Sequence, residues 1–196
     1  MSGRGRRRSP VADKAIIAAA LELFAERGLE GSSIEEIARR AGVTRATVYR
    51  RWTDKAALIA HALCKAREGD APEVHDWGHV GADAFVRIML EDVPETLAKP
   101  ELAPLTARLL GSAQAHPELV RAYWDGYLVP RRAAFSRAIV AMQADGRLAA
   151  DVDPEVLQDM ISGALVYRLL LSSEPRSVDD WRAYCRALLR TLGLTA

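Results

Sequence analysis

The sequence has little cysteine, few aromatic residues and no long apolar run. Its two cysteines, Cys64 and Cys185, stand far apart in apolar, helix-like surroundings. That excludes a disulfide-stapled secreted scaffold and points to buried free thiols in a reducing compartment. No stretch approaches the roughly 20 apolar residues of a membrane span, so no membrane partner is expected. The basic amino terminus lacks the apolar core of a secretion signal, which predicts a cytoplasmic chain. Strand-like alternation of useful length is missing as well, and the fold class expected is all-α. A phosphate-cradling glycine loop, a nucleophile elbow and a Ser/His/Asp arrangement are likewise lacking. The carboxylate-rich pieces, Glu91-Asp92 and Asp151 to Glu155, fall at helix surfaces or ends, where acidic residues cap or solvate. Neither an enzyme nor a cofactor is expected.

What is present is an ordinary globular composition with an uneven distribution of charge. The 196 residues are 49% hydrophobic and 27% charged, with a net charge of +1. Residues 1–55 hold 12 Lys/Arg against 7 Asp/Glu, while the rest hold 15 against 19. A basic head on a mildly acidic body suits a nucleic-acid contact confined to one end.

Within that head, residues 33–52 have the spacing of two short helices joined by a glycine-containing turn. Ser33 is placed to cap the first helix, with Glu36 three residues on completing a capping box. Ile34, Ile37 and Ala38 share one face, and Ala38 is small where a second helix must cross closely. Gly42 supplies the left-handed backbone of a tight turn. Thr44 caps the second helix, which turns Val48 inward and Arg45, Ala46, Tyr49 and Arg50 outward. An outer face of Arg and Tyr donors around a small Ala suits entry into the DNA major groove. Tyr49, Trp52 and Lys55 follow at phosphate-contacting and packing positions. An amphipathic helix pair with a glycine turn is common in helical proteins, and it is the ordered company of these residues that marks a helix-turn-helix.

Four segments follow from composition and periodicity. Residues 1–9, with Arg4, Arg6, Arg7 and Arg8 among Gly and Ser, read as a flexible basic arm suited to phosphate or minor-groove contact. Residues 10–67 read as a DNA-binding domain of three to four helices, its first helix carrying Ile16, Ile17, Ala20, Leu21 and Phe24 and its last capped by Asp54. Residues 68–81, broken by Gly69, Pro72, Gly78 and Gly81, read as a linker. Residues 82–196 read as a helical body, with helices over about 82–98, 100–115, 117–144 (kinked or broken near Gly126 and Pro130), 154–171 and 178–192. The helix between Val156 and Leu171 is apolar on nearly every side and so needs neighbours on more than one side. Together with the last helix it is expected to form a four-helix bundle with a second copy, through Met160, Ala164, Tyr167, Leu171, Trp181, Cys185, Leu188 and Leu192, a purely internal bundle being the alternative.

The stretch from Ala41 to Trp52, followed by Asp54-Lys55 and Leu58, resembles the TetR family of bacterial transcriptional regulators, as does the first helix ending Leu23-Phe24-Ala25-Glu26-Arg27-Gly28. The likeness is specific over about residues 12–65 and looser over the body, at Asp151 to Glu155 and Gly163 to Leu170. It implies a homodimer with two DNA-reading heads and a ligand-sensing, dimerising helical body. It also implies that Thr44, Arg45, Ala46, Thr47 and Arg50 read bases or nearby phosphates, that Tyr49 and Lys55 touch the backbone, and that Ser33 caps a helix aimed at phosphate. Trp52 departs from the family, which more often has Phe there, and that puts the packing under the second helix in question. The function expected is sequence-specific repression at a palindromic operator on double-stranded DNA, relieved by a small-molecule effector. Candidate pocket residues are Phe85, Met89, Leu109, Tyr123, Trp124, Tyr127, Met160 and Tyr167, each of which could equally fill core.

Two other readings compete. His61, Cys64, His75 and His79 have the spacing H-x2-C-x10-H-x3-H, superficially that of a zinc set, which would make a metal-responsive regulator. A non-specific architectural DNA binder would need basic charge over the whole surface, and the body is slightly acidic.

Overall fold

The structure, a computed structural model, describes residues 9–68, 80–172, 174 and 176–194, and among them it is helical with no strand. The arm arginines and most of the expected linker lie outside the described residues, as do His75 and His79. The chain folds as two compact units, one of Met1–Lys65 and Arg108–Tyr123, the other of Ala66–Ala107 and Trp124–Ala196. Residues 108–123, expected in the body, therefore group with the head. No helix among the described residues is long and apolar enough to cross a membrane.

The first unit opens with α1 (Pro10–Arg27), α2 (Ile34–Arg40) and α3 (Arg45–Tyr49), followed by α4 (Lys55–Glu68). Ser9 and Pro10 start α1 as a cap and an N1 proline should, and Asp54 caps α4 through Ala57 N–H at 2.8 Å. The apolar stripe of α1 is rotated from the one expected: Ile16, Ala19, Ala20, Leu23 and Phe24 are buried, whereas Ile17 and Leu21 are only partly so. Ile34, Ile37 and Ala38 of α2, Val48 of α3, and Leu58, Ile59, Ala62 and Leu63 of α4 are buried with them. Ion pairs lace α1 to α2. Arg40 binds Glu26 bidentately at 2.9 and 3.1 Å, and this holds the Glu26 carboxyl below the usual carboxylate range.

The second unit contains α5 (Ala82–Leu90), α6 (Asp92–Leu97), most of α7 (Leu102–Gly111), a π-helical turn (Trp124–Leu128), α9 (Val129–Ala144), α10 (Pro154–Leu171) and α11 (Val178–Thr191); α8 (Pro117–Tyr123) belongs to the first. The helix expected over 82–98 is two helices, because Pro94 has no N–H and cannot donate to the Leu90 carbonyl. That carbonyl is taken instead by Arg182 Nε of α11, at 3.2 Å. Pro130 has the same effect on Gly126 four residues back. There the chain widens into the π turn and continues as α9 rather than breaking. Asp153-Pro154 and a full Ser177–Asp180 capping box start α10 and α11 as the sequence indicates.

Helix α11 packs on α5 and α6, and α9 on α5 and α10. Phe85 meets Phe135 edge-on at 4.9 Å between centroids, and both lie in the main core with Met89, Ile139, Met142, Ile161 and Cys185. Burial pushes the Cys185 thiol up to about 11. A raised thiol pKa leaves the side chain protonated through neutral pH, and the stability it contributes is lost as pH rises from the unfolded value near 9 towards 11. Since only the thiolate alkylates, the native protein at pH 8 is expected to resist iodoacetamide at Cys185 and to be modified fully once denatured. Mass spectrometry of the corresponding peptide checks this, and fast native modification would show that the core opens readily.

Candidate nucleic-acid interface

The turn between α2 and α3 is built by hydrogen bonds that only one residue type accommodates well. Ala41 ends α2, Gly42 takes φ +65°, Gly42 N–H bonds to Arg39 C=O at 3.2 Å, and Val43 N–H bonds to Ala38 C=O at 2.9 Å. These are the paired bonds of a Schellman motif, whose left-handed residue is favoured as glycine. They bring the chain back so that Thr44 can cap α3, its Oγ1 accepting from Thr47 N–H at 3.2 Å and lying 3.0 Å from Thr47 Oγ1. Ser33 caps α2 in the same way through Glu36 N–H at 3.1 Å. The reciprocal half of the expected capping box is diverted: the Glu36 carboxylate binds Arg27 at 3.0 and 3.1 Å and Arg39 at 3.3 Å.

Helix α3 is only five residues long and is pinned from beneath by Val48, which is fully buried. Its outer surface carries Thr44, Arg45, Ala46, Tyr49 and Arg50, all exposed, with Thr47 partly so. Tyr49 is 49% exposed. Of the residues placed here from sequence, then, six are brought to one surface, and Ser33 stands exposed at the start of α2. Lys55 differs. Its Nζ donates to Leu29 C=O at 2.5 Å, so the ammonium is engaged in joining α4 to the end of α1.

Arg51 and its partner Asp13 are contributors the sequence did not single out. Arg51 looks like another DNA cation, but its side chain is nearly buried; it pairs with Asp13 of α1 and donates to Thr47 C=O at 2.8 Å. It satisfies a carbonyl at the end of α3 and ties that helix to α1. Asp13 and Arg51 are 38 positions apart, and no local pattern signals such a pair. Trp52 is half-buried and its indole N–H donates to His61 Nδ1 at 2.8 Å, so its packing extends to α4. That bond occupies one ring nitrogen of His61, and Cys64 is buried on α4. Among the described residues no three His, Cys, Asp or Glu side chains are grouped to hold a metal.

The body residues singled out from sequence are scattered by their environments. Phe85 and Met89 are core in the second unit, and Leu109 and Tyr123 are buried residues of the first. Tyr127 lies under the Arg131 guanidinium at 3.5 Å, and Trp124 under Arg132 at 5.4 Å. On α10, Met160, Tyr167 and Leu171 are 54%, 69% and 68% exposed, joined on the same face by Val156 at 56%. Trp181 and Cys185, expected in a subunit contact, are instead buried in the chain's own core, and Leu188 and Leu192 pack partly against it. They face inward because α11 turns its apolar stripe onto α5 and α6.

Comparison with known proteins agrees with this geometry. The family model described as "Bacterial regulatory proteins, tetR family" matches residues 16–62, and "Tetracyclin repressor-like, C-terminal domain" matches residues 74–191. The HTH-type transcriptional regulator YdeS of Bacillus subtilis is 31% identical over 188 residues, covering 96% of this chain and 91% of its own. The DNA-binding transcriptional repressor TetR of Mycobacteroides abscessus is also 31% identical over 188 residues, covering 92% of this chain and 94% of its own. Among solved structures, a transcriptional regulator FadR from Bacillus subtilis in complex with stearoyl-CoA superposes with a TM-score of 0.66 at 21% identity, covering 91% of this chain and 96% of that one.

Proposed function

The chain belongs to the TetR family of bacterial regulatory proteins and is a DNA-binding transcriptional regulator; from that premise we propose that it is a homodimeric repressor, released from a palindromic operator by a small molecule bound in its second unit. The observation that carries the dimer is the apolar face of α10. Val156, Met160, Tyr167 and Leu171 are large, exposed and spaced for one side of a helix, with exposed Gly163 and half-buried Ala164 between them. A contiguous apolar stripe of this kind is a surface that seeks a partner. A second copy meeting it across a two-fold axis forms an isologous contact, with small residues at the centre allowing close approach. The seam is Val156, Met160, Ala164, Tyr167 and Leu171, without Trp181 and Cys185. The name of the Mycobacteroides relative supports repression.

Two heads related by a two-fold axis require half-sites related by the same axis. Phosphate contacts from Tyr49, Arg50 and the arm residues Arg4, Arg6, Arg7 and Arg8 supply most of the affinity, and Arg45 with Thr44, Ala46 and Thr47 supplies preference. An effector that favours a dimer with wrongly spaced heads releases DNA, and a hundredfold change in operator affinity needs about 2.7 kcal/mol of coupling. Selection of genomic fragments on the purified protein tests the reading. Enrichment of a few sites sharing an inverted repeat is expected, and salt-sensitive retention of all DNA without a shared motif would replace it with architectural binding. At the residue level, Tyr49→Ala is expected to weaken binding to every duplex alike. Arg45→Ala should remove about 1–3 kcal/mol of discrimination at one position of each half-site. Uniform loss in both variants would show that α3 does not read bases.

A further inference from the structure

The exposed surface of the helix-turn-helix carries an acidic residue that contact with phosphates does not call for. Glu35, the second residue of α2, places Oε1 2.5 Å from Nη1 of Arg45, the first residue of α3. The two side chains are 61% and 56% exposed, and an exposed pair contributes only about 0–1 kcal/mol to folding. The angle between the helices is set elsewhere, by the Gly42 turn and by buried Ile37, Ala38 and Val48. Its neighbour Glu36 has a different task, binding Arg27 and Arg39. Glu35 thus brings a negative charge to a face that approaches DNA, and spends it on the arginine best placed to read a base.

We propose that Glu35 is a positioning residue that determines specificity: it holds the Arg45 guanidinium in one orientation and withholds it from the phosphates of unrelated DNA. The inference rests on the reading of α3 as the base-reading helix. A guanidinium presents five donors in a rigid plane. A carboxylate at Nη1 fixes that plane and leaves the other edge open for the O6 and N7 acceptors of guanine. Restricting the side chain beforehand reduces the ordering cost of that contact. A phosphate accepts a guanidinium from many directions and gains nothing from the fixed plane. On unrelated DNA, Arg45 must therefore leave Glu35 to contribute. The carboxylate lowers affinity where no guanine is in place and leaves the matched site unpenalised, which is specificity by penalising the wrong partner.

The test uses the full chain and four forms: unaltered, Glu35→Gln, Arg45→Ala and the double variant. Two duplexes serve as probes, one enriched by the unaltered protein from a randomised library and one a scramble of the same composition. Glu35→Gln is expected to bind the scrambled duplex about tenfold more tightly at low salt. Its salt dependence should steepen by about 0.9 in log–log slope for each guanidinium freed to a phosphate. Preference for the enriched duplex should fall about tenfold, and none of these changes should appear when Arg45→Ala is already present. A preference unchanged by Glu35→Gln would overturn the proposal. So would an equal change in the Arg45→Ala background, which would mark simple charge repulsion. If the unaltered protein enriches no duplex, the sequence-specific reading itself fails and the proposal with it. Matching thermal melts of the four forms exclude unfolding as the source of any difference, since neither side chain is buried.

Discussion

Met160→Glu combined with Tyr167→Glu is expected to give a folded chain of 21.5 kDa that sediments as a monomer and loses about a hundredfold or more in operator affinity. Both side chains are more than half exposed and contribute little to the chain's own core, so helical content should be retained. Their large effect comes from the assembly. Facing each other across a two-fold axis, the new carboxylates would place four like charges in a seam that must exclude water to form. A monomer offers one head at a time. Two linked heads convert the second binding event into an intramolecular one, with a gain of 10²–10⁴ that the monomer forfeits. Analytical ultracentrifugation and a binding titration on the same sample read both outcomes. A variant that remains dimeric would move the seam away from α10.

The second large effect is expected at Phe24, fully buried on α1. Phe24→Ala removes most of an aromatic side chain and leaves a cavity that its neighbours fill only in part, at a cost of about 3–5 kcal/mol. Against the 5–15 kcal/mol typical of a domain, that is a large fraction of the stability of the first unit. Helix α1 is also the platform for the DNA-reading elements, through Arg40–Glu26, Arg27–Glu36 and Arg51–Asp13. Denaturant melts of Phe24→Ala should show an early transition, and DNA binding should disappear with it. Val11→Ala, on the same helix but 78% exposed, should shift neither. Equal melts for the two variants would mean that α1 is not the core helix its burial indicates.

The helix-turn-helix was legible in the sequence because its chemistry is local. Caps at Ser33 and Thr44, the glycine turn and the inward Val48 are each settled by residues within four or five positions. The starts of α10 and α11 could be read for the same reason. What escaped depends on distant partners. The rotation of the α1 stripe, the Lys55–Leu29 bond and the Arg51–Asp13 pair join residues that only the packed unit brings together. Trp181 and Cys185 lie on an apolar stripe that suits a subunit contact as well as a core, and periodicity alone does not choose between them. Pro130 is read as a kink or break near Gly126, whereas Pro94 carries the same signal and is passed over. Each denies a hydrogen bond to the carbonyl four residues back, and the division between α5 and α6 and the π turn are the two ways the chain answers.

The five residues of α3 also limit how much a single head can know. At 1.5 Å per residue the helix is about 7.5 Å long, a length that matches little more than two base-pair steps. A word of three base pairs recurs by chance about every 64 positions, against the 10⁶ or more competing sites of a genome. One head therefore has a vocabulary but no address. In the proposed homodimer a second reading, taken at a fixed distance by an identical head, cuts chance occurrence to about one position in 4,000, so the ruler between the heads carries as much information as the letters beneath them.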